Sequence, residues 1–172
     1  IEKLVDSIDN IDILINNAGI CLDNSFEDKT YMEFSKVVNV NLTGTYYLTK
    51  LLSKKINNGG NILSISSTNG IDTYYIESID YDASKAGVIS LMHNFANQLA
   101  PIRVNAIAPG WVDTEMNASL SDKFKKKEEE HILLKRFASP EEISKVINFV
   151  VSDDASYIND TVIRVDGGVN NG

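Results

Sequence analysis

Four short runs rich in apolar and β-branched residues limit what this chain can become. They fall at residues 11–15, 61–65, 102–108 and 160–165, and helical patterns separate them. The first, Ile11-Asp12-Ile13-Leu14-Ile15, is bounded by Asn10 and by Asn16-Asn17-Ala18-Gly19 and reads as a buried parallel strand. Residues 26–55 keep a helical period, as two helices or one long kinked helix. Its apolar face is Tyr31, Phe34, Val37, Val38, Leu42, Tyr46, Leu48, Leu51 and Leu52. Asn39 and Asn41 are poor helix formers inside it, and Asn57-Asn58-Gly59-Gly60 is read as its end. A second helix covers about 81–99, with Ala86, Ile89, Met92, Phe95, Ala96 and Leu99 as its stripe. A third opens at the capping box Ser139-Pro140-Glu141-Glu142 and turns Ile143, Val146, Ile147, Val150 and Val151 inward. Strand and helix alternate throughout, which argues an α/β fold with a parallel doubly wound sheet in a single domain. A parallel strand needs neighbours, so a strand this early is read as following first strands that the sequence does not contain.

Composition narrows the function classes. A chain of 172 residues with 43% hydrophobic residues suffices for one globular core. A net charge of −8 argues against nucleic acid or an anionic membrane surface. The apolar runs are too short to span a bilayer. The chain opens on a charged amphipathic segment rather than a signal peptide, and the lone Cys21 fits a reducing compartment, so a cytoplasmic location is expected. His93 and His131 have no partner at ligand spacing, and no metal site is expected. Residues 111–134 form a polar insertion, helical from about 121, whose charge run 125–130 reads as an exposed face.

The chemistry concentrates in Tyr81-Asp82-Ala83-Ser84-Lys85. Tyr81 and Lys85 are four apart and share a helix face. An ammonium beside a phenol favours the phenolate and lowers its pKa. Such a phenol can exchange a proton with a substrate oxygen. A surface tyrosine next to a solvated lysine is the plainer alternative. Asn16 to Gly19 leave the carboxyl end of a strand, where open α/β sheets bind ligands. A plain turn is the alternative. Ser66-Ser67-Thr68-Asn69-Gly70 makes the next strand end rich in hydroxyls, without the Gly-x-Ser-x-Gly of a hydrolase.

Taken together and in order, these motifs resemble a known family. Asn16-Asn17-Ala18-Gly19, Asn39-Val40-Asn41-Leu42, Ser66-Ser67, Tyr81-Asp82-Ala83-Ser84-Lys85 and Pro109-Gly110-Trp111-Val112-Asp113-Thr114 are similar to those of a classical short-chain dehydrogenase/reductase, with Val165-Asp166-Gly167-Gly168 as its last strand and turn. The nearest types are 3-oxoacyl-carrier-protein reductase and glucose dehydrogenase. The resemblance covers nearly all of residues 1–172 as the C-terminal two-thirds of one Rossmann-like domain. The family's Gly-rich phosphate loop is absent with the first strands, and Ile158-Asn159-Asp160 stands where Thr-Gly is usual.

The resemblance implies an enzyme that transfers a hydride between NAD or NADP and a small-molecule alcohol/carbonyl substrate. It assigns Tyr81 as acid/base, with Lys85 lowering its pKa and binding the nicotinamide ribose. Ser67, rather than Ser66, would hold the substrate oxygen. Asn41, rather than Asn39, would hold a relay water behind Lys85. Asn17, Ala18 and Gly19 would line the adenosine side of the cofactor. Pro109, Gly110, Val112 and Thr114 would contact the nicotinamide and its phosphates. A non-catalytic nucleotide-sensing relative or a truncated inactive fragment is the alternative. The resemblance also implies a homo-oligomer, dimer or tetramer, packed through the helices at 41–55 and 81–99. Tyr46, Tyr47 and Leu51 on the first, and Val88, Leu91, Met92 and Phe95 on the second, exceed one core-facing stripe.

Overall fold

The structure, a computed structural model, describes residues 1–169. The last three residues of the expected domain, 170–172, lie outside the described residues. Four parallel strands form one sheet in the order β1 (Ile11–Asn16), β2 (Ile56–Ile65), β3 (Arg103–Pro109) and β4 (Val162–Val165). A short α1 (Glu2–Asp6) precedes them. Between β1 and β2 run α2 (Tyr31–Val38), a π-helical turn at Asn39–Thr43 and α3 (Gly44–Leu52). Between β2 and β3 lies α4 (Ile79–Gln98); α5 (Asp122–His131) and α6 (Pro140–Val151) lie between β3 and β4.

Successive strand residues point to opposite sides, so β2 and β3 are covered on both faces, whereas β1, expected to be buried, leaves Ile13 and Ile15 exposed on one face. Ile62, Val104 and Ala106 pack with Leu52 of α3 and with Met92, Phe95 and Ala96 of α4. Leu63 and Ile107 pack on the other side with Ile143 and Val150 of α6. Strand order follows chain order, so every crossover steps the same way across the sheet. Crossovers of one hand would then leave all their helices on one face. Since α6 lies opposite α3 and α4, the crossover from β3 to β4 has the opposite hand to the first two, in a class of connection that is overwhelmingly of one hand. The sheet gains helices on both faces in this way, without a reversal of strand order.

The helix between β1 and β2 begins later than its periodicity suggests. Thr30 caps it in a capping box with Glu33, and residues 26–29 stay outside. Its buried positions are Val37, Asn41, Thr45, Thr49 and Leu52, so the inner stripe is largely polar. Tyr31, Phe34 and Tyr46, expected inward, are exposed. A 3-10 turn at Ser53–Lys55 ends the helix. Asn57 to Gly60 belong instead to a bulge inside β2, where pairing jumps from Ile11↔Ile56 to Ile13↔Asn61. A side chain at Gly60 would strike the Asp12 carbonyl at 2.7 Å.

On α4 the buried face runs through Ser84, Lys85, Val88, Met92, Phe95 and Ala96, while Ala86 is exposed. Val88, Met92 and Phe95, expected to exceed one core-facing stripe, are therefore buried within the monomer. The capping box of α6 forms as expected between Ser139 and Glu142. Glu142 also takes two bonds of 2.7 Å from Arg136, which holds its carboxyl down at about 2.

Candidate active site

The carboxyl ends of β1, β2 and β3 open on a cavity of about 1000 Å³. Ser67, Tyr81 and Gly110 line it, with Cys21, Asp23, Tyr75, Trp111, Phe124 and His131. Tyr81 enters from the first turn of α4 and Ser67 from the turn after β2. The hydroxyl of Ser67 accepts from the Asn69 amide and donates to its side-chain oxygen, 3.2 Å in each case. Asn69 donates in turn to Asp82 at 2.6 Å, and the Tyr75 amide to the other Asp82 oxygen at 3.3 Å.

Lys85 sits one turn behind Tyr81 with only 5% of its surface exposed. Its ammonium donates to the Ile65 carbonyl at 2.8 Å and stands 5.4 Å from the Tyr81 ring centroid. Burial pulls its pKa down to about 8. The net shift of Tyr81 runs opposite to the fall that the sequence argument expected from this ammonium. Burial pushes the phenol up to about 12, and a hydrogen bond with Ser67 opposes that only in part. The ammonium faces the ring and the Ile65 carbonyl, and the nearby acidic groups add to the rise.

Asn41 lies in the π-helical turn, 1% exposed. It accepts from the Ile20 amide at 2.8 Å and donates to the Ile20 carbonyl at 2.9 Å and to Ser84 at 3.0 Å. Ser84 donates to the Tyr81 carbonyl at 2.7 Å. The asparagine thus joins the loop after β1 to the turn that carries Tyr81. A π turn inserts an extra residue into a helix and often marks a functional site. A Cβ on Gly19 would stand 3.4 Å from both Lys85 Nζ and Asn41 Oδ1, so the bare backbone there leaves room beside the ammonium. Gly19, Asn41, Lys85 and Tyr81 are thereby brought together.

Pro109 ends β3 buried, and Gly110 follows it. Val112 bridges to Ala138, and Thr114 precedes a 3-10 turn on the surface. Asn17, Ala18 and Thr114 are exposed, and of the expected cofactor contacts Tyr81 and Gly110 line the cavity while Asn17, Ala18, Gly19, Lys85, Pro109, Val112 and Thr114 do not. Over the cavity, Trp111 stacks on Phe137 at 5.4 Å and meets Phe124 and Tyr75 edge-on at 5.7 and 6.4 Å. The polar insertion is therefore anchored by aromatic residues.

Sequence reading missed an acidic wall. Asp23 accepts from Ser78 at 2.5 Å and from Cys21 at 3.0 Å, and burial with this carboxylate raises the thiol to about 12. It also missed Lys29 and Asp80, which pair at 3.0 Å inside the protein. No spacing rule links positions so far apart in sequence. The hydroxyl of Thr73, on the cavity wall, is buried and has no hydrogen-bond partner among the described residues.

A family model described as Enoyl-(Acyl carrier protein) reductase matches residues 1–170. The chain is 42% identical over 172 residues to 3-oxoacyl-[acyl-carrier-protein] reductase FabG of Aquifex aeolicus, covering 98% of this chain and 69% of that protein. It is 36% identical over 167 residues to 3-oxoacyl-[acyl-carrier-protein] reductase MabA of Mycobacterium tuberculosis, covering 94% and 67%. Among solved structures, a Brucella melitensis short-chain dehydrogenase/reductase, glucose/ribitol dehydrogenase, superposes with a TM-score of 0.89 at 29% identity, covering 95% of this chain and 66% of that one.

Proposed function

The chain belongs to the classical short-chain dehydrogenase/reductase family, a family of oxidoreductases, and from that we propose that it transfers a hydride between NAD or NADP and an alcohol/carbonyl substrate, with Tyr81 as the acid/base. The observation that carries the reading is the shared cavity: the Tyr81 phenol and the Ser67 hydroxyl both open on it, with Lys85 one turn behind. A phenol held at about 12 is protonated at neutral pH, the form that a carbonyl reduction uses.

The residues present fit a nicotinamide nucleotide. A Cβ at Gly19 would stand against Lys85 Nζ and Asn41 Oδ1 at 3.4 Å, and Gly110, packed on Asp166, lines the cavity at the end of β3. Lys85 would bind the ribose hydroxyls, Asn17 to Gly19 the adenosine side, and Pro109, Gly110, Val112 and Thr114 the nicotinamide and phosphate side. The cofactor supplies the hydride when bound. Ser67 donates to the substrate oxygen and steadies the charge that grows there. Tyr81 delivers a proton to that oxygen. Lys85, still largely charged at neutral pH, favours the resulting phenolate, and Asn41 holds a water on the path that reprotonates it.

The relatives are named for 3-oxoacyl carrier-protein substrates, and one from Synechocystis for acetoacetyl-CoA. A 3-oxoacyl thioester is thus our first choice of substrate. A cytoplasmic homo-oligomer completes the reading. No described helix is long and apolar enough to cross a membrane, and Val40, Tyr46 and Ile79 leave apolar surface exposed on the helices beside the site. The test is turnover of acetoacetyl-CoA with NADPH and with NADH, read as loss of reduced-cofactor absorbance. Turnover that Tyr81→Phe abolishes is expected; no turnover with either cofactor would refute the reading.

A further inference from the structure

Lys29 and Asp80 form an ion pair of 3.0 Å with side chains only 4% and 0% exposed. Removing two charges from water is costly, and well-packed apolar residues would often be as stable. Stability therefore does not account for the pair. What it connects offers a better account. The Lys29 ammonium also donates to the Leu22 carbonyl, and Leu22 lies with Cys21 and Asp23 on one wall of the cavity. The second oxygen of Asp80 accepts from the Tyr81 amide at 2.9 Å. The two side chains thus run from the cavity wall to the backbone of Tyr81.

The first turn of a helix is its loosest part, because its amides lack helical partners. Tyr81 is the third residue of α4, and the N-cap Ser78 makes no side-chain capping bond. Asp80 supplies an acceptor there, with a charge that suits a helix N-terminus. A neutral acceptor could cap the turn as well. The charge-assisted pair does more, because it fixes the turn against a second segment with a short, directional contact.

We infer that Lys29 and Asp80 are positioning residues that set the Tyr81 phenol against the Leu22–Asp23 wall of the cavity. The inference rests on the reading of Tyr81 as the acid/base. Misplacing a reacting group by about 1 Å can cost about a hundredfold in rate.

The double variant Lys29→Met/Asp80→Asn tests it. The introduced amide would still accept from the Tyr81 backbone N–H, and the introduced thioether chain would fill the space of the lysine stem. Both charges therefore leave together. We expect a melting temperature within about 3 °C of the wild type. We expect kcat for acetoacetyl-CoA to fall at least about tenfold with KM within about twofold, since a positioning loss appears in the transition state alone. In the free protein, amide exchange at residues 20–24 and 79–83 should quicken about tenfold while β2 and β3 stay unchanged. Wild-type kcat in the double variant, or unchanged exchange in those segments, would overturn the positioning role. Wild-type turnover in Tyr81→Phe would instead overturn the acid/base reading beneath it.

Discussion

Lys85 lies over the face of the Tyr81 ring, its ammonium 5.4 Å from the centroid, and donates its hydrogen bond to the Ile65 carbonyl. Burial of the phenol, rather than the ammonium, decides its titration and keeps its proton on far above neutrality, at about 12. Ultraviolet titration of the free protein, with Tyr81→Phe as the difference, should show no phenolate from this residue below about pH 11. A Tyr81 phenolate appearing between about pH 7 and 9 in the free protein would contradict the geometry.

Lys85 carries the opposite signature. Burial holds its folded-state pKa at about 8, below the unfolded value of 10.5. Below pH 8 both states are protonated and the buried charge weakens the fold; between about 8 and 10.5 the unfolded chain binds the extra proton, so stability rises with pH. The shift is equivalent to about 3 kcal/mol. The melting temperature of Lys85→Met, relative to wild type, should fall steadily from pH 8 to 10. A constant difference would mean that the ammonium is not desolvated.

Asn41→Ala would strand the Ile20 amide and carbonyl and remove the donor to Ser84. Each unpaired buried group costs about 1–3 kcal/mol, so the loss should exceed about 2 kcal/mol in urea unfolding. Asn41→Asp keeps the size and the acceptor but loses the donors, and should recover only part of it. Full stability in Asn41→Ala would show that water replaces the side chain at no cost.

A side chain at Gly70 would meet the Lys85 carbonyl carbon and oxygen at 2.7 Å and the Ala86 amide at 2.9 Å. All three are backbone atoms on α4 and cannot yield locally. Gly70→Ala should push the Ser67–Gly70 turn away from Lys85 and cut kcat by at least about tenfold, given the cost of small displacements at a reacting centre. Retained turnover would place the serine outside the reacting geometry.

Trp111→Ala should release residues 113–131. The ring is shared by Tyr75, Phe124 and Phe137, so its loss removes the contacts that hold α5 over the cavity. Amide exchange there should quicken about tenfold, or about 1.4 kcal/mol, with β2 and β3 protected as before. Unchanged exchange would mean that the remaining aromatic residues suffice.

Much of this arrangement was readable in the sequence because it rests on local rules. Four apolar runs between helical periods pointed to the parallel sheet, and Ser139 with Glu142 to the start of α6. Tyr81 lines a cavity and Lys85 sits one turn behind it, off the cavity wall. What failed depended on tertiary surroundings. Tyr31 and Tyr46 followed the helical period yet face outward, because Asn41, Thr45 and Thr49 take the inner stripe to reach Ile20 and Asn16. The Tyr81 phenol was expected to be acidic because the lysine was countable along the helix and the burial of both groups was not. Asp23 and the Lys29–Asp80 pair meet the site across the fold, where no spacing announces them.

The unusual hand of the crossover from β3 to β4 sets a lower limit on loop length. To reach the far face of the sheet the chain must clear the strand ends, and the piece that does so carries Trp111 and Phe124 over the cavity. Shortening the 110–139 segment would therefore be a change of topology as well as of specificity. Variation in that segment can exchange side chains or add residues freely, but a deletion deep enough to expose the site would also strand α6 on the face that α4 already fills.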